Sequence, residues 1–407
     1  MNNSLKKGEL MKTFIFILIP LMLNFRASAA EYLLAERSGD EIVFSEELIL
    51  SQNDSAIYYL NEGLAKNTAG EFGQAIQLFN KALSYDPELG SAYLNRAFAK
   101  QQMLDYKGAL NDYNRSLKLK LTWEESYEAH FNKGITLAAL KNLREAMSDF
   151  NYAIQLNPNF ADAYYNRSIV KGRIGDYPGE LEDINKVIAL KPDDDNAYNS
   201  RGIAKSMMGD YDGAVKDYAK SIELNKTNPN AYFNRAIILY EMKKYLEALN
   251  DLNAAIQLKP DAECYNRRAN TKCRLKDFRG AFEDYNMAIK ADTNNYVAYI
   301  NRGSLKYELK DYKSAIEDYN MAIKIKPDYA LAFYNRGQAK GKLNDLKGEI
   351  EDYSKAIEFK PDYEMAYIER GMAKYETGDR SGGCNDLNQA VRLGSDEAYN
   401  SLLEYCK

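Results

Sequence analysis

The chain has 407 residues, of which 45% are apolar and 28% charged, with a formal net charge of −5. That small acidic excess offers no general electrostatic reason to bind nucleic acid or an anionic membrane surface. One His and four Cys leave little material for a transition-metal site, and Gly and Pro are too few for a low-complexity chain.

Residues 1–29 read as an export signal. Lys6, Lys7 and Lys12 give a basic start, and Thr13 to Phe25 form an apolar run too short to span a bilayer comfortably. Ala27-Ser28-Ala29 is an A-x-A cleavage site, so the mature chain is expected to begin at Ala30. Met11 opens a tidier version of the same signal and is an alternative start. Membrane contact is then limited to the export signal. The expected location is the periplasm or cell surface, where disulfides persist. Residues 30–55 form a pre-repeat segment with two apolar patches.

From Ala56 the sequence repeats every 34 residues. Ten repeats start at Ala56, Gly90, Tyr127, Ala161, Asp195, Pro229, Ala262, Tyr296, Ala330 and Glu364, with three extra residues before Tyr127 and one missing before Ala262. Within each repeat, apolar or small residues fall at positions 4, 8 and 11 and again at 20, 24 and 27, which is one face of a helix twice over. A polar break such as Gly175-Asp176-Tyr177 separates them, so each repeat is expected to be a helix, a tight turn and a second helix. Position 8 is small throughout, as in Gly63, Ser168 and Gly303, and position 20 is mostly Ala, which lets paired helices approach closely. Pro87, Pro158, Pro192, Pro260, Pro327 and Pro361 close most repeats. The array is expected to run over residues 56–397. Residues 398–407 end the chain as an amphipathic capping helix.

These positions resemble the tetratricopeptide repeat family: aromatic at 4 and 17, small at 8, Ala at 20, large at 24, small at 27, Pro at 32. Glu180 and Glu349 depart from it at position 20, and Leu121, Lys226, Thr293 and Ser395 at the closing Pro. The resemblance implies an all-α, right-handed superhelical solenoid with a concave groove. It also implies a non-enzymatic protein–protein interaction scaffold that binds an extended peptide or partner protein in that groove, without a cofactor. The alternative is a structural or assembly subunit of a periplasmic or cell-surface complex that uses its convex face or its ends. Carbohydrate binding by groove Tyr residues rests only on the Tyr count. No G-x-S-x-G, phosphate-binding, dinucleotide-binding or H-E-x-x-H pattern supports an enzyme.

Three sets of residues stand out. Position 7 is basic in nine repeats (Arg96, Lys133, Arg167, Arg201, Arg235, Arg268, Arg302, Arg336, Arg370), and position 23 is Asp in the same nine (Asp112, Asp149, Asp183, Asp217, Asp251, Asp284, Asp318, Asp352, Asp386). The first repeat lacks both, with Glu62 and Leu78. This joint loss points to a structural ladder of ion pairs; anion binding by the Arg residues is the rival reading. Position 6 carries Asn61, Asn95, Asn132, Asn166, Asn234, Asn301 and Asn335, which the resemblance places on the concave face. A line of amides there suits the backbone of an extended peptide, or alternatively bridges neighbouring helices. At position 5, Phe131, Tyr165, Phe233 and Tyr334 would supply side-chain pockets if exposed, or pack between repeats.

The single His, His130, falls at position 4 among aromatics and reads as a core or semi-core residue. Asp193-Asp194-Asp195 reads as a solvated loop with only a weak case for a cation. Cys264 and Cys273 lie nine residues apart on one helix, too far to bond to each other. Cys384 and Cys406 sit level across the expected fold-back near Gly394-Ser395, so a disulfide there would staple the C-terminal cap.

Overall fold

The structure, a computed structural model, describes residues 52–406; the stretch expected to be an export signal and nearly all of the expected pre-repeat segment lie outside the described residues. Every regular element among them is an α-helix. The described residues divide into two compact bodies, the first ending at Ala163 and the second beginning at Tyr164.

The N-terminal body contains α1 (Gln52–Thr68), α2 (Phe72–Tyr85), α3 (Gly90–Gln102), α4 (Tyr106–Ser116), α5 (Trp123–Ala139) and α6 (Leu143–Leu156). Helix α7 (Ala161–Arg173) begins at the boundary. The C-terminal body continues with α8 (Tyr177–Leu190), α9 (Asp195–Met207), α10 (Tyr211–Leu224), α11 (Pro229–Glu241), α12 (Tyr245–Leu258), α13 (Ala262–Arg274) and α14 (Phe278–Ala291). It ends with α15 (Tyr296–Glu308), α16 (Tyr312–Ile325), α17 (Ala330–Lys342), α18 (Leu346–Phe359), α19 (Glu364–Glu376), α20 (Arg380–Arg392) and α21 (Asp396–Tyr405). Odd-numbered helices pair with the even-numbered helix that follows, and within each body successive pairs stack as an α-solenoid.

Eight repeat starts read from the period coincide with the first residue of a helix. The two exceptions have local causes. Helix α1 starts at Gln52, four residues ahead of Ala56, and α5 starts at Trp123, four ahead of Tyr127. In α5 the extra residues form an additional first turn closed by a capping box: the Thr122 hydroxyl accepts from the Glu125 N–H at 3.1 Å, and the Glu125 carboxylate accepts from the Thr122 N–H at 2.8 Å. The final helix begins at Asp396, two residues before the boundary expected from sequence, because Ser395 caps it by accepting from the Ala398 N–H at 3.1 Å.

The turn within each repeat follows one rule. Position 15 is left-handed every time, with φ between 62° and 92°. Glycine supplies it in four repeats (Gly70, Gly175, Gly209, Gly378), and Leu104, Lys141, Lys243, Lys276, Lys310 and Asn344 accept it in the rest. The next residue caps the second helix: Asp105, Asp176, Asp210, Asp277, Asp345 and Asp379 each accept from a backbone N–H three residues on.

The core lies between the paired helices. The Ala residues at position 20, such as Ala75, Ala214 and Ala315, are fully buried, and so are the large residues at position 24, among them Phe79, Tyr113, Tyr319 and Tyr353. Position 8 must be small because the position-24 ring lies against it. A Cβ on Gly202 would stand 2.6 Å from Cε1 of Tyr218.

Candidate functional site

The Arg-Asp ladder is a buried structural device. All nine Asp residues at position 23 are buried, and Asp183 is only 1% exposed. Arg96, Arg167, Arg201, Arg235, Arg268, Arg302, Arg336 and Arg370 each grip the Asp sixteen residues on through Nε and Nη2, with bonds of 2.6–2.9 Å. The planar guanidinium makes this fork possible, and Lys133 of the third repeat makes only point contacts with Asp149. His130 joins Lys133 there, its Nδ1 standing 2.7 Å from Asp149 Oδ1 and its ring stacked on Tyr152. The sole His is therefore a rung of the ladder.

Three partners of the ladder escaped the sequence reading. Position 11 supplies a second cation to the same Asp: Lys100, Lys171, Lys205, Lys272, Lys306, Lys340 and Lys374 stand 2.7–2.9 Å from it. Position 4 supplies an aromatic ring beneath the guanidinium, as Tyr198 does for Arg201 at 5.3 Å and Phe333 for Arg336 at 5.4 Å. Position 25 of the preceding repeat receives the remaining nitrogen, Nη1: Arg302 bonds Asn286, Arg336 bonds Asn320 at 2.6 Å, and Arg370 bonds Ser354 at 3.0 Å. The sequence carried a visible signal for these, since positions 11 and 25 are Lys and Asn in most of the repeats that have the Arg. Hydrogen bonding to Asp217 and Asp251 raises the pKa of Arg201 and Arg235, respectively. With their nitrogens so engaged, the guanidinium groups are poorly placed to receive an anionic ligand.

The Asn row at position 6 behaves unevenly. Asn61 is exposed; Asn95 is buried and donates to the Ser91 carbonyl of its own helix at 2.8 Å. Asn132, Asn166, Asn234, Asn301 and Asn335 are half-buried. Two of these bridge neighbouring first helices: Asn234 donates to Asn199 Oδ1 at 3.1 Å, and Asn301 donates to Asn266 Oδ1 at 3.0 Å. Asn199 and Asn266 occupy position 5 of the repeat before. Tyr165 and Ser200 meet in the same register, their hydroxyls 3.2 Å apart. Asn335 makes a long contact of 3.5 Å to Ser304 Oγ.

At position 5 the structure corrects the pocket expectation for two residues. Phe131 (5% exposed) and Tyr334 (8%) are core side chains. Phe131 lies against Phe150 and Phe160, and Tyr334 against Tyr353 and Tyr363. The second helix of the same repeat and the residue that leads into the next repeat enclose these rings. Tyr165 and Phe233 remain half-buried.

Beside them runs a row at position 9 that the sequence reading did not single out. In the C-terminal body it is apolar at first (Ile169, Ile203, Ile237) and then polar (Asn270, Ser304, Gln338). The polar members meet hydroxyls of core tyrosines: Tyr285 donates to Asn270 Oδ1 at 2.6 Å, Tyr319 to Ser304 at 3.4 Å, and Gln338 donates to the Tyr334 hydroxyl at 3.0 Å.

At the C-terminus Cys384 and Cys406 form a disulfide with Cα atoms 5.7 Å apart, tying α21 to α20. Cys264 and Cys273 are free. The Asp193–Asp195 loop is occupied by the chain itself: Asp194 caps α9, and Asp195 accepts from Asn225 and Asn228. Among the described residues no group of three or more His, Cys, Asp or Glu is arranged to hold a metal ion, and no helix is long and apolar enough to cross a membrane.

The stacked helical hairpins define a repeat solenoid, and comparison with known proteins gives the class its name. Models described as TPR repeat or tetratricopeptide repeat match residues 56–89, 127–160, 207–243, 229–262, 303–344 and 330–363. The matched stretches are tetratricopeptide repeats. Tetratricopeptide repeat protein 36 of Danio rerio is 31% identical over 127 residues, covering 31% of this chain and 66% of the relative. Heat shock protein STI1 of Saccharomyces cerevisiae is 30% identical over 100 residues, covering 24% of this chain and 16% of its own length. The chain thus spans less than two thirds of these curated relatives. Among solved structures, MamA is similar at 29% identity with a TM-score of 0.38, covering 40% of this chain and 94% of that one.

Proposed function

We propose that this chain is a non-enzymatic interaction scaffold that holds an extended peptide, or an extended part of a partner protein, against the face made by its first helices. Tetratricopeptide repeats serve generally as protein-binding arrays, and a rigid stack of repeats offers equivalent side chains at regular intervals to a ligand with a regular backbone. The supporting observation is the composition of that face in the C-terminal body. Tyr165, Ile169, Ile203 and Phe233 are half-buried apolar groups, and Asn234 and Asn301 each spend one N–H on a neighbour while the carbonyl oxygen of the amide takes no hydrogen bond among the described residues. Mixed apolar and amide groups of this kind can hold a backbone and its side chains together. An exported location, at the periplasm or cell surface, is part of the same reading and rests on residues 1–29.

The experiment is in-cell cross-linking from a photoreactive residue at Ile203, followed by identification of the attached protein. A discrete partner, lost when Asn132, Asn166 and Asn234 are changed together to Ala in a folded protein, supports the groove. Cross-links only from the chain's ends would favour an assembly subunit. That second reading has one observation of its own: α21 leaves Tyr399 and Leu403 half exposed on the final helix.

A further inference from the structure

Repeats four and nine differ from the other eight at the same three positions. Position 20 is Glu (Glu180, Glu349) where the others have Ala or Gly. Position 12 is Gly (Gly172, Gly341) where the others carry a side chain, from Ala138 to Tyr307. Position 5 is Tyr (Tyr165, Tyr334) and nowhere else. The structure shows why the first two go together. A Cβ on Gly172 would lie 2.5 Å from Glu180 Oε2, and one on Gly341 would lie 2.6 Å from the Glu349 carboxyl. Each acid reaches from the second helix into the notch that the missing side chain leaves in the first.

These acids are costly where they stand. Glu180 is 6% exposed and Glu349 9%. No hydrogen bond or ion pair reaches the Glu180 carboxyl among the described residues. Glu349 receives one bond, from the Tyr353 hydroxyl at 3.1 Å. A buried carboxyl without partners is expensive unless protonated or matched by a cation. A purely structural position would have kept Ala, as most repeats do. The two glycines are half-buried, so each notch is partly open on the first helix.

We propose that Gly172 with Glu180, and equally Gly341 with Glu349, form two cradles in the first-helix face that each take a cationic side chain of an extended polypeptide ligand, a lysine ammonium in particular. This deepens the groove reading and rests on it. The ammonium supplies the charge partner that the carboxyl lacks, and the glycine gives it room to approach. In each cradle burial holds the acid's proton to higher pH than usual: burial, and then Asp176, push Glu180 up to about 8. Burial pushes Glu349 up to about 7, with Glu369 and Glu376 raising it further and Lys342 and the Tyr353 bond opposing. The other groups that sense these carboxyls are Tyr165 and Tyr218 around Glu180 and Tyr353 and Tyr307 around Glu349. Docking of an ammonium ion forms a carboxylate–ammonium pair and, below the pH at which the free acid ionises, releases the carboxyl proton to solvent. Affinity therefore rises with pH up to about 7 for Glu349 and about 8 for Glu180, and levels off above.

The test is calorimetric titration of the full chain with tetralysine, and with its Nε-acetylated form, at pH 6.0 and 8.5. The expected result is binding of tetralysine at least tenfold tighter at pH 8.5, proton release seen as a buffer-dependent heat at pH 6.0 and largely absent at pH 8.5, and no binding of the acetylated peptide. Glu180→Gln with Glu349→Gln keeps the shape, and should weaken tetralysine binding at least tenfold at pH 8.5 without lowering Tm. Gly172→Ala with Gly341→Ala, which places a methyl group in each notch, should do the same. Glu223→Gln with Glu358→Gln, on exposed parts of second helices, should leave binding unchanged. Equal binding by the Glu180→Gln, Glu349→Gln protein and the wild type overturns the cradles, as does a wild type that fails to bind. The two levels fail separately. A wild type that captures no protein from Ile203 in cells overturns the groove, whereas capture combined with tetralysine binding indifferent to the Gln changes overturns the cradles alone.

Discussion

Arg336 stands sixteen residues from each of two partners, gripping Asp352 with Nε and Nη2 ahead of it and Asn320 with Nη1 behind it. One side chain on α17 thus ties α18 of its own repeat to α16 of the repeat before. This makes the ladder a junction between repeats as well as a clasp within each.

Arg235→Met tests how much the clasp contributes. Asp251 has Arg235 as its one ion-pair partner, because position 11 of that repeat is Leu239. Removing the guanidinium leaves a buried carboxylate with no cation, a loss on the order of 3 kcal/mol. Arg336→Met should cost less, since Lys340 still stands 2.8 Å from Asp352. Thermal or urea unfolding of the two variants checks the order, and equal midpoints would contradict it.

Glu180→Gln and Glu349→Gln should stabilise the fold in a pH-dependent way. Both acids have a folded pKa above the ordinary value of 4.5, so the folded chain holds protons that the unfolded chain gives up. Wild-type stability therefore falls as pH rises from 4.5, by up to about 1.4 kcal/mol per pH unit and per group. The loss levels off above about 7 for Glu349 and about 8 for Glu180. Below pH 4 variant and wild type should unfold alike. The variants should gain steadily between pH 5 and 8 in a Tm series.

Leu104→Gly should raise stability by ~0.5–1 kcal/mol, the left-handed strain relieved less the entropy that glycine adds to the unfolded chain. Leu104 has φ 64° and is 67% exposed, so little packing is lost. The mirror experiment, Gly175→Ala at φ 84°, should lower it. A shared sign for the two midpoint shifts would contradict the turn argument.

Cys384→Ala should loosen the last helix. The bond closes a loop of 22 residues, which corresponds to about 3 kcal/mol in the chain-entropy picture. Hydrogen exchange in α21 should accelerate in the variant, and equally in wild type treated with a reductant, while α13 to α18 keep their protection.

Much of the fold was legible because the period is long and the pattern recurs. Small residues at position 8 and large ones at position 24 face each other across every hairpin, so a single rule reads ten times. The repeat that departs from the rule, with Trp123 ahead of it, was harder: an insertion gives no period of its own, and only the Thr122–Glu125 capping box shows that it continues the helix. The Arg–Asp pairs were legible from their joint absence in the first repeat. Their Lys and Asn partners were present in the pattern but blurred by exceptions such as Leu137, Leu239 and Ala219. The face of the first helices was least legible. Whether Tyr334 is a pocket wall or a core ring depends on whether Tyr363, where the chain turns into the next repeat, closes over it, and helical spacing does not encode that.

The same exceptions set how the array carries load. Between α10 and α11 the second-helix side lacks a rung, because position 25 is Ala219 and Arg235 has no partner behind it. The first-helix side of that joint is still fastened by Asn199 and Asn234. A joint pinned along one edge alone resists bending in one direction less than in the other. Bending at this joint is therefore expected to open it along the unlatched edge, as a door swings away from its pinned side.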